Sequence, residues 1–91
     1  MPKYIRPFPA CAKVGKVARG KHQGKYEQWS MCGSKNSLKR FAGIPFYIIK
    51  RTAEDTAGYA YTTREEAEND LAFWHCTIIE ELTLTADQIV R

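Results

Sequence analysis

The segment FYIIKRTAEDTAGYAYTTREEAENDLAFW, residues 46–74, narrows the folds open to this chain more than any other stretch. Phe46, Tyr47, Ile48 and Ile49 form a bulky, β-favouring run. The turn-forming AEDTAG then leads into YAYTT, so the two runs predict a hairpin with Tyr59 and Tyr61 on one face. Thr63 followed three residues later by Glu66 is a capping box and opens a helix. Ala67, Leu71, Trp74, Ile78 and Leu82 recur at helical spacing and predict one long amphipathic helix. A sheet face and a helix stripe each need an apolar partner, and packing one on the other satisfies both.

The flanking segments add smaller elements. KYEQWSMC reads as a strand with Trp29 and Met31 on one face and Gln28 and Ser30 on the other. GSKNSLKRFAGIP reads as a short helix behind a Ser or Asn cap, carrying Leu38 and Phe41, stopped at Gly43 and followed by Pro45. ACAKVGKVA alternates small apolar with basic residues and fits a weak edge strand entering a loop. Pro2, Pro7 and Pro9 keep the opening extended, and Thr85 with Gln88 marks a last capped turn or short strand. The expected architecture is α+β: a small antiparallel sheet of about three strands against one long amphipathic helix, with a short extra helix. Residues 1–91 form a single domain, 1–25 a basic N-terminal arm and loop, 26–91 the sheet-plus-helix core.

The 44% apolar and 12% aromatic content suits a folded chain rather than a disordered tail. No apolar run approaches the ~20 residues of a membrane span, and MPKYIRPFPAC lacks the apolar block of a signal peptide. Cys11, Cys32 and Cys76 are odd in number and irregularly spaced, which fits a reducing, cytoplasmic setting.

The formal net charge of +4 conceals a division. Residues 1–51 hold twelve Lys and Arg against the single acid Glu27, while residues 52–91 hold nine acids against Arg64 and Arg91. Such asymmetry implies a charged partner, or else two halves that neutralise each other in the folded domain. The densest basic stretch is KVGKVARGKHQGK, which contains Lys13, Lys16, Arg19, Lys21 and Lys25 and no acid. Within it GKVARGKH has the glycine and lysine spacing of a P-loop, but His22 stands where that motif needs a Ser or Thr hydroxyl for magnesium. Phosphate binding does not depend on that motif, because glycine-rich backbone and cationic side chains suit nucleic-acid phosphate equally.

Other chemistries are poorly supplied. His22, His75 and the three cysteines show neither Cys-x-x-Cys nor His-x-x-x-His spacing, so no metal or other cofactor is expected. Cys32 before Gly33 lacks a signature pairing it with a histidine base, and the Glu65–Glu66 and Glu80–Glu81 pairs suit a solvated helix face. An enzyme is not expected. Tyr26, Trp29, Tyr47, Tyr59 and Tyr61 are interleaved with Lys25, Lys50 and Arg51, a pattern that can stack single-stranded nucleic acid or merely pair across strands. One sheet face must pack on the helix, so about half of these rings can be free. Phe73 falls off the apolar stripe, among Glu66, Asn69 and Glu80, and suits a protein contact.

The stretch GYAYTTREEAENDLAFW resembles the arm-type DNA-binding domains of tyrosine recombinases, over roughly residues 26–74. The resemblance implies a basic three-stranded sheet backed by one helix, and it departs from that pattern at GSKNSLKRFAGIP and in the acidic C-terminal part. In size, charge density and lack of a catalytic set the chain is also similar to the small proteins that phages and mobile elements encode against host nucleases, such as anti-CRISPR and anti-restriction proteins. Two functions follow as expectations. The first is a non-enzymatic inhibitor that docks by charge complementarity on a host protein or nucleoprotein complex, through Glu65, Glu66, Asn69, Asp70, Phe73 and Glu80. The second is a direct DNA or RNA binder using Lys13, Lys16, Arg19, Lys21, Lys25, Lys39 and Arg40. The first is preferred, because nine acids in the C-terminal half repel phosphate and gain a pure nucleic-acid binder little; the second leads only if the acids are all consumed in internal pairing.

Overall fold

The computed structural model describes residues 8, 12–29 and 37–90. Five strands form one antiparallel sheet: β1 (Lys13–Lys16), β2 (Tyr26–Trp29), β3 (Phe46–Lys50), β4 (Ala57–Tyr61) and β5 (Ile78–Leu82), in the order β2-β1-β4-β3-β5. The one α-helix among the described residues, α1 (Arg64–Asp70), is seven residues long. This overturns the expected three strands against one long helix. The β3–β4 hairpin stands where the sequence places it, with Tyr47 opposite Tyr61 and Ile49 opposite Tyr59.

The long helix fails at its C-terminal half. Thr63 caps α1 as expected, its hydroxyl accepting from the Glu66 amide at 3.3 Å. Asn69 and Asp70 are poor helix formers, and the chain continues only in loose turns to Trp74. There the Cys76 amide donates back to the Leu71 carbonyl at 2.8 Å and the His75 amide to Ala72 at 3.2 Å, with His75 in the left-handed region at φ 58. That is the Schellman arrangement, with a histidine where glycine is usual. Beyond it, the β-branched Thr77, Ile78 and Ile79 favour extended backbone, and β3 has an open edge whose amides and carbonyls need partners. Residues 78–82 fill that edge along five paired positions, from Lys50–Ile78 to Phe46–Leu82. Ile78 and Leu82 are therefore strand residues and not part of a helix stripe.

Residues 13–16 likewise depart from the weak edge strand expected of them. β1 lies inside the sheet, hydrogen-bonded to β2 on one side and β4 on the other. Val14 is fully buried there, which anchors an otherwise weak local sequence.

Both sheet faces are covered, by different means. The core face carries Val14, Phe46, Ile48 and Ala60, packed on Leu38, Phe41, Leu84 and Ile89. Phe8 stacks on Phe41 with centroids 4.2 Å apart. Leu38 and Phe41 come from a 3₁₀ helix, Ser37–Phe41, found where the short helix is predicted and followed by Gly43 at φ 76. The Ser34 and Asn36 caps, Ser30, Met31, Cys11 and Cys32 lie outside the described residues. Leu84 and Ile89 belong to a C-terminal strap that contains the capped turn, with Gln88 Oε1 accepting from the Thr85 amide at 2.8 Å. The strap ends across the sheet, where the Val90 amide donates to the Tyr26 carbonyl at 2.9 Å. The helix face carries Tyr47, Ile49, Tyr59, Tyr61 and Ile79, packed on Ala67, Leu71, Trp74 and Cys76.

Candidate nucleic-acid interface

The strand order puts the basic hairpin and the acidic β5 at opposite edges of the sheet, while Glu27 lies on β2 and the Glu54–Asp55 turn shares a recess with Lys16. The basic hairpin β1–β2 forms one edge; β5, with Glu80 and Glu81, forms the other. Four inter-strand spacings of about 4.8 Å put these edges roughly 19 Å apart. Screening at physiological salt acts over about 8 Å, so the acidic edge repels little at the basic one.

The β1–β2 connection is wound rather than open. Val17 donates to the Lys25 carbonyl at 2.8 Å, Gly24 to Val17 at 3.0 Å, Gln23 to Gly20 at 3.1 Å and Lys25 to His22 at 3.0 Å. Gly20 and Gly24 take φ of 93 and 86, and a Cβ at either would meet nothing within 4 Å. Those glycines serve the turn. Arg19 and Lys21 are exposed and Lys25 is half-buried. Lys16 at the end of β1 lies 5.6 Å from the Tyr26 ring centroid.

Among the described residues the ion pairs are Lys50 with Glu80 and Arg64 with Glu68. Neither involves a cation of the basic hairpin. Most acids of residues 52–91 are instead held by groups outside the hairpin. Asp70 accepts from the Tyr61 hydroxyl at 2.6 Å, and that hydroxyl accepts from the Trp74 indole at 3.1 Å. Glu81 accepts from the Tyr47 hydroxyl at 3.0 Å, which raises the Tyr47 pKa, the hydrogen bond being the main cause. Asp55 accepts from the Thr52 hydroxyl and from the amides of Arg51 and Thr52, and these bonds lower its pKa, the hydroxyl most. Glu66 receives the Thr63 hydroxyl at 3.0 Å.

The acidic set named from the sequence is thus dispersed. Glu65, Glu66 and Asn69 are exposed on α1, and Phe73 beyond it is 70% exposed. Asp70 is half-buried against Tyr61. Glu80 stands opposite Ile48 and so faces the other side of the sheet, held by Lys50. The basic set divides too. Lys39 and Arg40 sit on the 3₁₀ helix over the core face, Arg40 lying 5.1 Å from the Phe41 ring centroid.

Lys13 stands apart from the other cations. It is paired directly with Trp29 on one side and Tyr59 on the other, so the three side chains rise from adjacent strands on the helix face. Its ammonium lies 4.9 Å from the Tyr59 ring centroid, and Tyr59 is stacked on Trp74 at 3.9 Å with 15° between planes. Phe73 meets Trp74 edge-on at 4.8 Å. Because α1 packs against β3, β4 and β5, the Trp29 end of this face stays open, and Trp29 is 40% exposed. Its indole lies across β1: a Cβ at Gly15 would come 2.9 Å from Trp29 Cη2 and 2.7 Å from Ala57 Cβ. Gly15 is the seat of the ring.

Beside this row opens a cleft of about 440 Å³, lined among others by Lys13, Arg51, Asp55, Thr56, Tyr59 and Cys76. The volume lies in the range of ligand sites. Lys13 and Arg51 contribute two cations with no ion pair among the described residues, and the one carboxylate, Asp55, already holds three hydrogen bonds. Burial pushes the Cys76 thiol up, so it stays protonated and unreactive at neutral pH. Gly15, Trp74 and the cleft residues Thr56 and Cys76 are absent from the sequence-based site. A mid-strand glycine next to a strand bearing a tryptophan is the only signal of that seat, and it acquires meaning only once the β1–β2 register is known.

No group of three His, Cys, Asp or Glu among the described residues is placed to hold a metal ion. No helix among them is long and apolar enough to cross a membrane. Neither a family model, nor a curated protein, nor a solved structure matches this chain.

Proposed function

We propose that this protein is a non-enzymatic nucleic-acid-binding module, with the basic β1–β2 hairpin contacting backbone phosphates. One observation carries the reading: the hairpin cations have no acidic partner among the described residues, whereas six of the nine acids of residues 52–91 (Asp55, Glu66, Glu68, Asp70, Glu80 and Glu81) are held by groups outside the hairpin. A cation left without a partner on an edge shared with an exposed tryptophan is available to phosphate, and phosphate neutralisation dominates nucleic-acid affinity. Fluorescence anisotropy of labelled DNA and RNA oligonucleotides, at low and then physiological salt, tests it. Binding that weakens steeply as salt rises is expected; no binding at low salt sinks the reading.

Docking on a host protein or nucleoprotein complex is the second reading. It is favoured by Phe73, 70% exposed on the same side of the helical segment as Glu66 and Asn69. It gains ground if naked oligonucleotides do not bind.

A further inference from the structure

The geometry points to a site for one unpaired nucleotide on the helix face, its base stacked on Trp29 and its phosphate held by Lys13 and Arg51 at the mouth of the cleft. This rests on the nucleic-acid reading above and adds to it a preference for single strands.

Four observations converge. The Trp29 indole lies across Gly15 toward Ala57, where any side chain at residue 15 would collide, so the ring is held against the sheet while 40% of the residue stays exposed. Such a ring is a platform for a partner with a free π-face. The bases of a duplex stack on one another and hide theirs, whereas an unpaired base offers its own.

Lys13 is directly opposite Trp29 in the adjacent strand, so a cation stands beside the platform at about one strand spacing, ~4.8 Å. That ammonium is not free to wander. It is drawn over the face of Tyr59, which is itself clamped on Trp74. Tyr59 and Trp74 therefore act as positioning residues, placing a charge without spending it on an acid.

Arg51 lines the same cleft and has no acidic partner at ion-pair distance among the described residues. Two cations converging on one recess suit a phosphate, which a guanidinium can hold through two hydrogen bonds. The remaining cleft carboxylate, Asp55, is turned to its own loop by Thr52 and the amides of residues 51 and 52. The hairpin residues Arg19, Lys21 and Lys25 then serve flanking phosphates, for single or double strands alike.

The test compares a labelled twelve-nucleotide oligothymidine with a blunt duplex of mixed sequence, at one fixed low salt concentration, for four proteins: wild type, Trp29→Ala, Trp29→Phe and Lys13→Met/Arg51→Ala. The wild type is expected to favour the single strand by about tenfold, within the range of one base–aromatic stack. Trp29→Ala should remove that preference and leave duplex affinity unchanged, and Trp29→Phe should restore part of it. Lys13→Met/Arg51→Ala should also weaken single-strand binding more than duplex binding, with the β1–β2 hairpin intact. Equal affinity of the wild type for both nucleic acids, or Trp29→Ala weakening both alike, overturns the site but leaves the nucleic-acid reading standing. Absence of binding to either nucleic acid overturns both. Trp29→Phe separates loss of stacking from loss of fold, since it keeps an aromatic ring on the Gly15 seat.

Discussion

The β1–β2 edge and the α1–β5 edge treat charge in opposite ways. Along α1 and β5, charged groups help build the fold: Asp70 joins Tyr61 and Trp74, Glu81 joins Tyr47, and Glu80 holds Lys50. Along β1 and β2, no cation makes an ion pair among the described residues, and Lys13 and Lys16 lie over the Tyr59 and Tyr26 rings. Charge at the α1–β5 edge is largely held within the fold, whereas the cations of the β1–β2 edge make no ion pair among the described residues. Substitutions should therefore separate the two edges, costing stability at one and affinity at the other.

The largest expected effect is on binding. Replacing Lys16, Arg19, Lys21 and Lys25 together by Ala should lower oligonucleotide affinity at low salt on the order of a hundredfold. Stability should change by less than about 0.5 kcal/mol per position, as for surface residues without special roles. A variant that unfolds instead would show that the hairpin cations are structural, and the contrast between the edges would be lost.

Next comes the opposite edge. Tyr61→Phe removes the hydroxyl that links the Trp74 indole to Asp70, leaving a part-buried donor and a part-buried carboxylate without it. A loss of about 1–3 kcal/mol in urea unfolding is expected. Affinity for nucleic acid should hold. Weakened binding in a fully folded Tyr61→Phe would mean that the α1 edge also takes part in recognition.

A smaller effect is a gain. His75 occupies the left-handed position that closes the helical segment, where a side chain costs energy and glycine does not. His75→Gly should stabilise the protein by roughly 0.5–1 kcal/mol in the same measurement. A loss would indicate that the imidazole makes a compensating contact.

The smallest concerns acid. Hydrogen bonds from Thr52 and the amides of Arg51 and Thr52 hold the Asp55 pKa below its ordinary 3.8. A lowered folded pKa means that the stabilising contribution is present above 3.8 and disappears as pH falls through the folded value. Thermal melts of wild type and Asp55→Asn should therefore differ at neutral pH and converge as pH falls below 3.8 through the folded value. A gap that persists at low pH would show that the Asn side chain disturbs the loop by shape alone.

Much of the fold was legible where the signal was local. The 46–61 hairpin, the Thr63 cap, the 3₁₀ helix ending near Gly43 and the Thr85–Gln88 turn all follow from neighbouring residues. What escaped was decided by distant ones. IIEEL at 78–82 satisfies a helical stripe on paper, yet the open edge of β3 and the left-handed His75 make it a strand. KVGK has a single large apolar side chain, and only pairing on both sides explains its place inside the sheet.

The candidate site divides in the same way. Its cations are plain in the composition of residues 13–25. That Glu80 pairs with Lys50 rather than with a hairpin cation depends on strand order, and the Trp29 platform depends on register placing Gly15 beneath the ring.

The most direct test of the contrast is the salt dependence of affinity for one labelled oligonucleotide, measured for the wild type and for the variant lacking Lys16, Arg19, Lys21 and Lys25. The wild type should show a steep log–log slope, and the variant a slope shallower by about three. Equal slopes, or no binding by the wild type at the lowest salt, would contradict the claim that the basic edge is reserved for phosphate.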